Sequence, residues 1–266
     1  GDLALGANAK LAVYGGFAAT NAAERTRYVE DGSAVTVAGN LSTASGAWIY
    51  PYNHGVNGGS VRFTVDGDLA IAATSGFDAS GKGWQYPYGE GFFGSTGWSD
   101  GHGGSYGGRG VKAGGALAAE VYGFRFAPFL PGSPGRSAGN FATIAAGSGG
   151  RGGGAIRLHV AGDVSLAGAL LANGYNGKGK MEAPDGGTSG AGSGGGIWLT
   201  CHTLAPAEGA SLSAQGAQTS YGDAGGGGGG RVCIVTDSPT AAQIASLYES
   251  GSAPGLLVVT TNVNDS

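Results

Sequence analysis

Charge is scarce in this chain: only 12% of its 266 residues are Asp, Glu, Lys or Arg, and the 14 basic residues form no run. With a formal net charge of -4, the sequence offers no means of neutralising many phosphates, which excludes nucleic acid as a partner. Long apolar runs are absent too. The longest stretches, such as GLLVV (255–259), fall far short of the roughly 20 residues that cross a bilayer, so no membrane insertion is expected. Cysteine is limited to Cys201 and Cys233, with only His202 close in sequence, and no metal-ligand spacing results. No Gly-Lys-Ser/Thr ending follows any glycine run, and no glycine run opens a helix, so neither kind of nucleotide loop is present. The chain opens GDLALG with neither a signal peptide nor an initiator Met, which reads as a processed protein or a fragment of a longer one.

What is abundant is glycine, with 59 residues beside 9 prolines. Such a level is close to that of low-complexity disorder. Low charge and a mean hydropathy of 0.00 argue instead for a folded chain with glycine concentrated in its loops. GGGGGGRVCIV (225–235) poses the problem sharply, because six glycines stand directly before a β-branched run.

Four segments share a pattern: AVTVAGNLSTA (34–44), SVRFTVDGDLAIAA (60–73), AIRLHVAGDVSLAG (155–168) and GIWLTCHTLAPAEG (196–209). The first three read as an alternating strand, a Gly-Asp or Gly-Asn turn and a second short strand, while the fourth loses the turn. GDLAL (1–5) matches the second half of this unit and GGRVCIVTD (229–237) the first. A third short strand recurs downstream in GFDASGKG (76–83), ALLANGYNGKG (169–179) and ASLSAQG (210–216). Period-two alternation points Val35, Val37, Val61, Phe63, Val65, Ile156, Leu158, Val160, Ile197, Leu199, Cys201, Val232 and Ile234 inward. Val35, Val61, Ile156, Ile197 and Val232 are taken as equivalent positions. Cys233 then points outward, away from Cys201, and a disulfide is not expected.

Strand content repeats while spacing varies, as in a solenoid whose insertions leave from one side. Three short strands per coil specify an all-β, right-handed parallel β-helix over 1–266, with a β-sandwich as the competing arrangement. GSGGRGGG (147–154), GAGSGGG (190–196), NGGS (57–60) and the six glycines each precede a first strand. They mark where excursions re-enter the stack and backbones crowd.

The combination of GGxGGG-A-I-x-L, G-D-[VL]-x-[LI]-x-G, A-N-G and DGHGGSYGGRG (100–110) resembles the glycine-rich parallel β-helices of secreted and surface proteins of bacteria, the pectin-lyase-like and autotransporter-passenger class. The resemblance implies an extracellular setting and a structural or adhesive role, with no catalytic group identified.

A long insertion (82–154) interrupts the repeats; part of it, 114–124, is expected to supply a further coil and NFATIAAG (140–147) a strand. WIYPYNHG (48–55) and WQYPYGEG (84–91) repeat one aromatic block, read as two loops on one side. Trp48, Tyr50, Tyr52, Trp84, Tyr86, Tyr88 and Trp98 are therefore candidate saccharide ligands, since exposed rings stack on sugar faces. The competing role for them is to pin a long loop to the solenoid.

SPTAAQIASLYESG (238–251) has a helix start at Ser238-Pro239, a stop at Gly251 and a stripe of Ile244, Leu247 and Tyr248, as expected of a cap on the last coil. GLLVVTTNV (255–263) reads as a terminal strand. Its Leu256, Leu257, Val258 and Val259 either fold back on the domain or pair with the open end of another copy, giving a filament. Partners are thus the chain itself, other surface proteins or polysaccharide.

An enzymatic reading finds little to build on. Arg62 aligns with Arg157 and Asp68 with Asp163, and Asp100 stands beside His102 in SDGHGG (99–104). No G-x-S-x-G elbow, dense acidic cluster or calcium-binding nonapeptide occurs. No cofactor is expected, and calcium has no support.

Overall fold

A computed structural model describes residues 1–16, 32–92, 101–112, 115–136, 149–177, 188–219 and 224–236 in full, and the backbone of 256–261. Sixteen strands follow one another: β1 (Leu3–Leu5), β2 (Lys10–Tyr14), β3 (Ser33–Val37), β4 (Leu41–Thr43), β5 (Trp48–Tyr52), β6 (Val61–Val65), β7 (Leu69–Ile71), β8 (Gly76–Asp78), β9 (Ala155–Val160), β10 (Val164–Leu166), β11 (Ala169–Leu171), β12 (Gly196–Cys201), β13 (Leu204–Pro206), β14 (Ser211–Ser213), β15 (Arg231–Thr236) and β16 (Leu256–Thr261). Up to β15 each strand lies beside the third one along, and β16 lies beside β15. Sheet A runs β1-β4-β7-β10-β13, sheet B β14-β11-β8-β5-β2 and sheet C β16-β15-β12-β9-β6-β3. All pairings are parallel, and the fold is a parallel β-helix of three sheets.

The expected inward residues form its core. Phe63, Ile156, Leu158, Ile197 and Leu199 are fully buried with Leu41, Ile49 and Phe77 from the other two sheets. Phe63 meets Phe77 edge-on at 5.2 Å, tying sheet C to sheet B. Register runs Val61, Ile156, Ile197, Val232 across sheet C. Val35 departs from the expected equivalence: it pairs with Phe63, and Ser33 stands opposite Val61. The slip is two residues, so the inward face is kept.

Each of the three corners solves a different problem. Between sheets C and A, an Asx side chain caps the next coil. The Asn40 N–H donates to Asp2 Oδ1, that of Asp68 to Asn40 Oδ1 and that of Asp163 to Asp68 Oδ1, all at 2.8 Å. Thr203 Oγ1 ends the series on Asp163 Oδ1 at 2.6 Å. The fourth unit therefore keeps both its corner and its second strand, β13, with Thr203 in place of Asp. Gly39, Gly67 and Gly162, which precede the Asx residues, do not take a positive φ. They are required because a Cβ at Gly67 or Gly162 would strike the capping Asx oxygen of the coil before. Between sheets A and B the chain does turn left-handed, at Asn8, Gly46, Thr74 and Gly209. Thr74 is unusual there, and its hydroxyl meets that of Ser45 at 2.9 Å.

At the third corner, between sheets B and C, the chain makes its excursions after β2, β5, β8, β11 and β14. The longest connects β8 to β9, yet β8 still pairs with β11 and β6 with β9, so the stack continues beneath it. Residues 115–124 supply no further coil; they make only one isolated antiparallel bridge, Val111 with Leu117. They lack the alternation that would seat them in the stack. The expected strand at 140–147 and helix at 238–251 lie outside the described residues.

Candidate functional site

The glycine runs leave the third corner and pack against one another. Segments 101–111, 131–136, 149–154, 172–177, 188–195, 214–219 and 224–230 lie side by side without being strands of any sheet. Their hydrogen bonds have a period of three. Gly190 and Ser193 donate to the carbonyls of Arg136 and Ser133, Ala191 and Gly194 to Gly225 and Gly228, and Gly192 and Gly195 to Tyr175 and Ala172. Residues i and i+3 thus address one neighbour, i+1 and i+4 a second, and i+2 and i+5 a third. Gly225 and Gly228 likewise donate to Gly101 and Gly104, and Gly227 and Gly230 to Ala217 and Ala214. A period of three matches that of polyproline II helices, which in collagen pack so closely that glycine is needed where the chains crowd. The six glycines before β15 follow this period. A methyl at Gly194 would collide with the Ala214 carbonyl, whereas at Gly226 the nearest neighbour, Ala217 O, is 3.6 Å away.

This bundle takes up several candidate residues. Trp84 and Tyr86 are 6% and 4% exposed, and both serve as packing. Trp84 lies across Gly58, which has a positive φ and no room for a Cβ. Tyr88 remains 41% exposed, and Trp98 lies outside the described residues. His102 is buried, its carbonyl accepting from the Arg136 N–H at 2.7 Å; Asp100 lies outside the described residues.

The first aromatic block behaves differently from its repeat. Trp48–Tyr52 is strand β5 rather than a loop, with Ile49 and Pro51 inward and Trp48, Tyr50 and Tyr52 half-buried on the outer face of sheet B. Pairing with β8 is confined to Trp48 with Gly76 and Ile49 with Phe77, while pairing with β2 runs the full length. Pro51 carries no N–H, and one edge is released at that point.

Around β5 the structure gathers residues that pattern alone did not mark. Tyr14, opposite Tyr52 in register, stacks on it with ring centroids 4.7 Å apart and is 66% exposed. Lys82 Nζ lies 5.3 Å from the Tyr52 ring centre and 5.1 Å from that of Tyr50. It also lies 3.6 Å from Asp78 Oδ2 and donates to the Ser80 carbonyl at 3.1 Å. Burial lowers the Lys82 pKa from its ordinary value, opposed by the Asp78 charge. Tyr50 is raised, by burial first and then by Asp78 and Tyr52. Tyr175 is 50% exposed; burial raises its phenol, followed by the charges of Asp78, Tyr52 and Tyr50. A Cβ at Gly81 would run into three atoms of the Tyr175 ring, so the ring lies across bare backbone. Tyr14 and Tyr175 each sit just before or after a glycine, at the end of an otherwise ordinary alternation, a weak signal in sequence.

Other candidates have structural employment. Arg62 pairs in register with Arg157. Arg157 is buried, donates to Ser60 Oγ at 3.0 Å and lies over the rings of Phe129 and Trp198. Asp68 and Asp163 are corner caps. Cys201 faces the core, while Cys233 faces outward beneath the insertion, with its Sγ 3.3 Å from Phe126 O. Burial pushes the Cys233 thiol up to about 11. Among the described residues no group of three or more His, Cys, Asp or Glu could hold a metal ion. β16 pairs with β15 of its own chain, with Leu256, Leu257, Val258 and Val259 opposite Arg231, Val232, Cys233 and Ile234.

By architecture the chain belongs to the parallel β-helix class, joined at one corner to a bundle of glycine-rich segments. No family model, curated protein or solved structure matches it significantly.

Proposed function

We propose that this protein is a secreted or cell-surface adhesive module, a rigid β-solenoid that presents the outer face of sheet B to saccharides. The observation that carries this reading is the Tyr14–Tyr52 stack at 4.7 Å, with exposed Tyr175 and the Asp78–Lys82 pair alongside. Aromatic rings supply apolar area for the C–H face of a sugar. A charged pair held between them supplies both donor and acceptor for hydroxyls. The binding residues favoured within the original set are Trp48, Tyr50 and Tyr52, supplemented by Tyr14 and Tyr175. Trp84 and Tyr86 support the bundle instead. Loops normally carry function on a scaffold; here the scaffold strand itself carries it.

A glycan array on the purified chain tests the proposal. Saccharide binding abolished by Tyr14→Ala and unaffected by Tyr88→Ala is the expected result. Wild-type protein that retains no saccharide at all overturns it.

A second reading, head-to-tail assembly, rests on a separate observation. Leu3, Leu11, Val13 and Val35 are only partly buried at the N-terminal end of the stack, where, among the described residues, β1, β2 and β3 each have one neighbour. A second copy stacked there would extend three sheets at once, as edge strands invite. Sedimentation velocity across a hundredfold concentration range would show growing species; a constant monomer refutes assembly.

A further inference from the structure

We infer that the sheet B face is a linear track for an uncharged glycan of at least three sugar units, laid parallel to the solenoid axis. The inference rests on the saccharide reading above and adds the ligand's length, direction and charge.

Direction follows from register. Tyr14 stands on β2 and Tyr52 opposite it on β5. The next strand, β8, carries Asp78 and leads into Ser80 and Lys82, and the one after it, β11, leads through Asn173 to Tyr175. The extension beyond β11 stays aligned with that beyond β8: the Gly81 N–H donates to the Asn173 carbonyl at 2.8 Å, and the Asn173 N–H to Ser80 Oγ at 3.3 Å. Hence the rings of Tyr14, Tyr52 and Tyr175, carried by β2, β5 and the extension of β11, form a row rather than a cluster on one strand. Neighbouring strands are 4.7–4.9 Å apart; the Tyr175 ring leans back over Gly81 on the extension of β8, so it stands about two steps, about 9.5 Å, along the row from Tyr14. A single sugar ring cannot touch Tyr14 and Tyr175 together; a chain can.

Charge follows from the middle of the row. Asp78 and Lys82 are 3.6 Å apart and offset one another, so no net charge waits there for an acidic unit. The ammonium is buried against Tyr50 and Tyr52, and the accessible partner of the pair is the carboxylate side, with side-chain exposures of 9% for Lys82 and 24% for Asp78. A uronate or sulfate lying over this pair would meet Asp78 first and be repelled. Sugar hydroxyls meet no such barrier and can donate to the carboxylate, a charge-assisted hydrogen bond. Tyr14 and Tyr175 then act as the two end platforms.

Titration calorimetry with a length series decides. The probe is the best neutral glycan from the array, in lengths of one to six units, beside an oligogalacturonate series of the same lengths. Affinity for the neutral series should rise at least tenfold between one and four units and then level off. Oligogalacturonates should bind at least tenfold more weakly than neutral oligomers of equal length. Tyr175→Ala and Tyr14→Ala should each weaken the tetramer at least fivefold, with monomer affinity changed less than twofold by Tyr175→Ala and the melting temperature unchanged in both. Length-independent affinity, equal binding of the acidic series, an array that returns acidic glycans alone, or a Tyr175→Ala variant of full tetramer affinity each overturns the track while leaving saccharide adhesion standing. An array on which nothing binds overturns both.

Discussion

The solenoid and the glycine bundle are made by one chain and held together on opposite principles. In the solenoid, strands run parallel, side chains alternate with period two, and order comes from apolar groups removed from water. In the bundle, neighbours run in both directions. Segment 188–195 is antiparallel to 131–136, through Gly190 to Arg136 and Ser193 to Ser133, and parallel to 224–230, through Ala191 to Gly225 and Gly194 to Gly228. The period is three, and what packs is backbone against backbone. Glycine loses more conformational freedom on ordering than any other residue. Here that loss is offset by hydrogen bonds to neighbouring segments and by close approach that a Cβ at positions such as Gly194 would prevent. The contrast shows that one polypeptide can carry a core defined by side chains beside one defined by their absence.

The sharpest way to break the comparison is to remove atoms from one core and add them to the other. Phe63→Ala should cost about 3–5 kcal/mol, as large-to-small changes in packed interiors do, read as a lower urea midpoint. In the bundle it is adding atoms that destabilises: Gly194→Ala, which adds a single methyl, should cost about 1–3 kcal/mol by overpacking. Gly226→Ala, in the same bundle but beside open space, should stay within about 0.5 kcal/mol on the same curve. Equal effects at Gly194 and Gly226 would mean that composition, not close packing, explains the glycine.

The corners sharpen the distinction further, because there a side chain caps backbone. Asp68→Ala removes the acceptor of the Asp163 N–H and should cost about 1 kcal/mol in thermal unfolding; Asp68→Asn keeps the acceptor and should restore most of it. A pH-dependent effect concerns Cys233, lodged where the insertion meets the solenoid. Its folded pKa is raised to about 11, above an unfolded value of about 8.5, so the native state favours the thiol. Its contribution to stability is complete below about pH 8.5 and is lost as pH rises through 11. Cys233→Ser should flatten that alkaline decline in urea midpoints measured from pH 7.5 to 10.5.

Much of the solenoid was legible. Val61, Phe63, Val65, Ile156, Leu158, Ile197 and Leu199 betray their face by alternation alone, and Cys201 and Cys233 fall on opposite faces as that alternation requires. The Gly-Asp corners were legible as turns, though not as caps, since the partner of Asp68 is 95 residues away at Asp163. The bundle was legible only as a place where loops return, because a glycine run names neither its period nor its neighbours. The aromatic site was half legible. Trp48, Tyr50 and Tyr52 share a motif with Trp84, Tyr86 and Tyr88, yet one block became strand, while in the other Trp84 and Tyr86 became buried filler and Tyr88 stayed exposed. The motif is the same; the coil beneath it differs.

The sequence by itself determined the strands and their inward faces, because side-chain alternation is a local property of every β segment. Only the tertiary structure decided that Tyr14, Tyr52, Lys82 and Tyr175 share a surface. It alone also gave the glycine runs their partners, since both depend on which coil lies on which and on how far each excursion travels before it returns.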